Sequence, residues 1–61
     1  MIKVILLANS KDDFILMTRA ASWLLEREDR QDGIVSYGKG DDERLFYVKR
    51  NKSSSVTVRA A

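Results

Sequence analysis

The chain has no cysteine, no histidine and no proline, and only three glycines among its 61 residues. Without cysteine there is no disulfide, and without cysteine or histidine there is no zinc site of the usual kind to staple a small fold. The commonest general base and the best nucleophile are missing for the same reason, which argues against an enzyme. The lack of proline and scarcity of glycine leave no linker, so residues 1–61 read as a single domain near the lower size limit for a self-sufficient core. Such a fold must rest on packing, on oligomerisation or on a partner. No hydrophobic run approaches membrane-spanning length. The apolar stretch over residues 1–8 is too short for a signal peptide and no cleavage pattern follows it, so a cytoplasmic protein is expected.

What is present is a chain of 44% hydrophobic and 33% charged residues, a balance typical of folded soluble domains. The order β-α-β-β-β is legible in its patterning. Ile2 to Ala8 is a near-continuous apolar run, as in an interior strand or one covered on both faces. Ser10 is placed to cap a helix running to about Gln31, with Asp13 three residues on as a short-armed capping box and Gly33 where a left-handed cap falls. A short strand Ile34–Tyr37 precedes a turn at Gly38-Lys39-Gly40-Asp41-Asp42. Arg44–Arg50 is rich in β-formers. After a turn at Asn51–Ser54, Ser55–Ala60 alternates, with Val56, Val58 and Ala60 on one face. The expected fold is therefore α+β: one amphipathic helix on a three- to four-stranded, largely antiparallel sheet.

The helix carries more apolar surface than one sheet requires. At about 100° per residue, Phe14, Leu16, Met17, Ala20, Ala21, Trp23, Leu24 and Leu25 spread over roughly half its circumference. We divide this arc into a core set (Phe14, Met17, Ala21, Leu24) and an outward margin (Leu16, Ala20, Trp23). Arg19 and Arg27 lie one turn to either side of Trp23, where their stems can pack on the ring. Ile15 stands apart on the polar side, among Arg19, Ser22 and Glu26. The strands add to the excess: Ile5 and Leu7 oppose Val4 and Leu6, while Leu45 and Tyr47 oppose Phe46 and Val48, and a single helix covers only one sheet face. Surface of this kind points to a protein partner or a homodimer. The candidate partner-binding residues are Leu16, Ala20, Trp23, Arg27 and Tyr47.

Charge is uneven. Residues 26–43 hold seven acids against three bases, whereas the last eighteen carry Arg44, Lys49, Arg50, Lys52 and Arg59 with no acid. The hairpin Lys49–Ser55 beside Phe46 and Tyr47 is a candidate nucleic-acid contact, in which Lys49, Arg50, Lys52 and Ser53 would follow a phosphate backbone. The acidic stretch ahead of it speaks against a general nucleic-acid surface. Asp41-Asp42-Glu43 lacks calcium-loop spacing and reads as a solvated turn. Gly38-Lys39-Gly40 lacks the spacing and the following Ser/Thr of a phosphate loop. No catalytic, metal or cofactor site is expected. The expected function is that of a small non-enzymatic regulator or inhibitor that docks sterically on another protein, a size and build that suit a phage or plasmid effector. The alternative is a nucleic-acid-binding module.

Overall fold

A computed structural model describes residues 2–61. Four strands and one helix follow the expected order: β1 (Val4–Leu7), α1 (Lys11–Leu25), β2 (Asp32–Tyr37), β3 (Arg44–Arg50) and β4 (Val56–Ala60), with a single 3₁₀ turn at Gly40–Asp42. The fold is α+β. The sheet order is β1-β4-β3-β2. Both hairpin pairs are antiparallel, and β1 pairs with β4 in parallel, so the sheet is mixed. This places β1 at an edge, not in the interior as its continuous apolar run suggests. Its hydrophobicity reflects side chains left partly open on both faces, with Val4 and Leu7 exposed.

The helix starts where the sequence indicates: Ser10 Oγ accepts from the Asp13 amide at 3.1 Å. The capping box is not completed. The Asp13 carboxylate is buried and ion-paired with Arg44 at the start of β3. The helix ends at Leu25 with Glu26 as its cap, short of the expected Gln31. Residues 26–31 are all polar, so they offer no apolar face to dock, and helices of this size are held mainly by such docking. Arg50 takes over the last carbonyls instead: Nη2 donates to Leu24 (3.0 Å) and Arg27 (3.4 Å), and Nε to Arg30 (3.4 Å). Gly33 is accordingly not a helix cap. It lies within β2, opposite Val48.

Met17, Ala20, Ala21 and Leu24 of the helix pack on Phe46, Val48, Val56 and Val58 to form the core. Two assignments along the helix are corrected by this packing. The buried arc is centred on Leu24 and Met17, and Phe14 lies roughly 80° round the helix from Leu24, so it is 54% exposed and not in the core. Ala20 falls inside the arc and is fully buried. No helix among the described residues is long and apolar enough to cross a membrane.

Candidate functional site

Cross-strand register defines which side chains share the sheet face away from the helix, because residues directly opposite point the same way. One row runs Ile5–Thr57–Lys49–Asp32 and the next Leu7–Arg59–Tyr47–Ile34, followed by Leu45 opposite Ser36. No element of the described chain crosses this face, since the single helix packs on the Phe46, Val48, Val56 and Val58 side. Ile34 is 64% exposed, Leu7 53% and Leu45 45%. Tyr47 is half-buried among them, with the Arg59 guanidinium 5.0 Å from its ring centre. Its charged side chains within the strands are Lys49, Arg59 and Asp32, so the face has a positive balance. The sequence offered Leu45 and Tyr47 to an uncovered face, left open whether Ile5 and Leu7 or Val4 and Leu6 join them, and set Arg59 on the wet face of the last strand. It missed Ile34, which only the register adds to the patch.

Overall dimensions show the same deficit of cover. A folded monomer of 7.0 kDa exposes about 4000 Å² on average, whereas this chain exposes 4571 Å². The radius of gyration is 11.2 Å against about 10.5 Å for a compact chain of this length. The shortest dimension, 15 Å, is that of one sheet and one helix layer.

The helix margin is assembled differently from its sequence reading. Leu16 and Trp23 are half-buried and pack against the core, while Ala20 lies beneath them with no exposed surface, so it cannot touch a partner. Arg27 does stack on Trp23, 4.7 Å from the ring centre, but the second guanidinium is Arg30 at 5.6 Å and not Arg19. Arg27 also donates to the Trp23 carbonyl at 2.9 Å. The Cη2–Cζ3 edge of the indole lies against Gly33, so the ring is closed in as an edge of the core. Tyr47 is separated from this margin by the thickness of the sheet. Leu16, Trp23 and Arg27 are thus one cluster and Tyr47 belongs to another.

The basic hairpin is largely committed to internal bonds. Arg50 caps the helix, as described above. Asn51 Nδ2 donates to Ser55 Oγ (2.9 Å) and Thr57 Oγ1 (2.8 Å), and the Ser53 and Ser55 hydroxyls bond each other at 3.0 Å. Ser54 takes a left-handed conformation at the turn, with φ of 70°. Lys49 and Lys52 remain exposed, the first on the open sheet face and the second in the turn.

Of the titratable groups, Tyr37 is displaced clearly: its burial against Phe46 pushes the phenol above its ordinary value, partly opposed by the Arg19 charge. Among the described residues no three acidic side chains converge as a metal cluster would. No family model, curated protein or solved structure matches the chain.

Proposed function

We propose that this protein is a small non-enzymatic regulator or inhibitor that docks on another protein through its open sheet face. The observation that carries this reading is the row Leu7–Arg59–Tyr47–Ile34, extended by Leu45. It combines three large exposed apolar side chains with an aromatic ring and a cation, a mix suited to an interface centre. Lys49 and Arg59 against Asp32 select a partner whose apolar patch is rimmed by carboxylates, since complementary charge governs orientation and encounter. Action is steric: the face desolvates against the partner and the thin α/β slab blocks whatever the partner would otherwise contact. Self-association through a surface other than this face, and a cytoplasmic site of action, accompany this reading.

The competing function, nucleic-acid binding, would use the same face, where Tyr47, Lys49 and Arg59 lie together. A base stacked on Tyr47 with phosphates on the two cations is the geometry a single strand would use. The aliphatic neighbours Leu7, Ile34 and Leu45 favour protein over nucleic acid. Capture from host lysate with and without nuclease separates the two. A partner that survives nuclease and is lost with Ile34→Asp, while that variant stays folded, supports protein docking. Binding abolished by nuclease, or by Lys49→Gln with a steep salt dependence, overturns it in favour of nucleic acid.

A further inference from the structure

The second uncompleted surface is the free edge of β1, independent of the open sheet face. Just ahead of β1 the Lys3 carbonyl accepts from the Val56 amide at 2.9 Å, so in this parallel pair residues 5 and 7, like Lys3, turn their amides and carbonyls toward β4. In an extended strand the groups alternate sides. Those of Val4 and Leu6 therefore point outward, where β1 has no neighbour among the described residues. An edge strand normally carries a charge, a proline or a bulge that discourages pairing. The four-residue strand Val4-Ile5-Leu6-Leu7 carries none within it, the nearest charge being Lys3 just ahead of it. Beside this edge, on the helix side, lies an apolar groove of about 370 Å³ lined by Val4, Leu6, Phe14, Thr18, Ser22 and Leu25. The exposed Phe14 forms its outer wall.

We infer that this edge is completed by β1 of a second copy, paired antiparallel about a two-fold axis to give a continuous eight-stranded sheet with both helices on one side. Three observations select a second copy as the occupant. First, the groove requires an extended segment that presents uncharged apolar side chains at alternate positions, and β1 offers Val4 and Leu6 at that spacing. Second, a two-fold perpendicular to the sheet keeps both helices on one face and pairs residues of like orientation. Centred on Ile5, it sets Val4 opposite Leu6 of the other copy and lets their outward amides and carbonyls bond reciprocally. Third, the charges at the two ends of the groove are complementary under that operation. Lys11 lies at the N-terminal end of α1 and Glu26 at its C-terminal end, both exposed. Antiparallel association brings each Lys11 toward the other copy's Glu26. The merged grooves place Phe14 and Leu25 of both copies over a shared floor of Val4 and Leu6 side chains.

Sedimentation equilibrium across the micromolar range tests this, with the full chain. The expected result is a species of twice 7.0 kDa at the upper end, dissociating on dilution. Val4→Lys and Phe14→Lys should each shift the population to monomer while circular dichroism stays unchanged, and Ile34→Asp should leave the dimer intact. Lys11→Glu should weaken association and Lys11→Glu/Glu26→Lys should restore it. If a β1 variant fails to fold, amide exchange of the unaltered protein decides: the Val4 and Leu6 amides must become protected as concentration rises. A monomer throughout the range overturns the inference. So does a dimer that persists in folded Val4→Lys, or one lost with Ile34→Asp, or one in which the Val4 and Leu6 amides exchange freely.

Discussion

The indole of Trp23 occupies the space that a side chain at residue 33 would need: a Cβ on Gly33 would lie 2.6 Å from Cη2 and 2.7 Å from Cζ3 of the ring. Helix α1 and edge strand β2 approach this closely because one of the two residues is a glycine. Replacing Gly33 by alanine must displace the ring and disturb its stack under Arg27 and Arg30. Overpacking of this kind costs about 1–3 kcal/mol. Gly33→Ala should lower stability by that amount in urea unfolding and shift the tryptophan emission. In Trp23→Leu the same substitution should cost much less, because contacting sites are not additive. Equal costs in both backgrounds would mean that the ring does not set the requirement.

A second expectation concerns Asp13 and Arg44. The carboxylate side chain is 6% exposed and its guanidinium partner 47%. Removing the cation leaves a buried charge alone, while solvent at the Arg44 side reduces the loss below that of a fully enclosed pair. Arg44→Met should destabilise by about 1–3 kcal/mol. Asp13→Asn/Arg44→Met should recover part of it. A neutral effect of Arg44→Met would show that the pair does not hold the start of α1 to β3.

Arg50 is expected to act on stability more than on ligand binding. Its three bonds to Leu24, Arg27 and Arg30 carbonyls depend on a fork of donors that lysine lacks. Arg50→Lys should therefore cost nearly as much as Arg50→Met, about 1–2 kcal/mol, with earlier exchange of the amides in the last turn of α1. Full rescue by lysine would mean that charge alone matters there.

The raised phenol of Tyr37 gives a pH dependence with a definite sign. Burial disfavours the phenolate, so the folded state holds the proton more tightly than the unfolded chain, whose value is 10.0. The contribution is fully present below pH 10 and is lost as pH rises through the folded value. Alkaline denaturation should be shallower in Tyr37→Phe than in the unaltered protein, and an identical slope would contradict the burial argument.

These relationships separate what the sequence shows from what it hides. Strand β3 and the Ser10 cap are legible because β-formers and a capping hydroxyl act locally. The helix end is not, because its carbonyls are taken by Arg50, which is 26 residues beyond Leu24. Gly33 was open to misreading, since a left-handed cap and a close helix–strand approach both call for glycine. The run Ile2–Ala8 reads as an interior strand, because an apolar run looks the same whether its own chain buries it or it lies at an edge left open to another chain. The open sheet face was half legible. Alternation exposes Leu45, Tyr47 and, on β4, Arg59, but Ile34 joins them only through the register of β2 against β3.

Whether the face around Tyr47 binds a partner protein is decided by amide exchange of the chain alone and with its nuclease-resistant partner. Protection should concentrate in residues 32–37, 45–49 and 57–59, and Ile34→Asp should abolish it with the fold intact. Protection confined to the Trp23 margin or to the 51–55 turn, with the sheet unchanged, would place the interface elsewhere and overturn the proposed docking face.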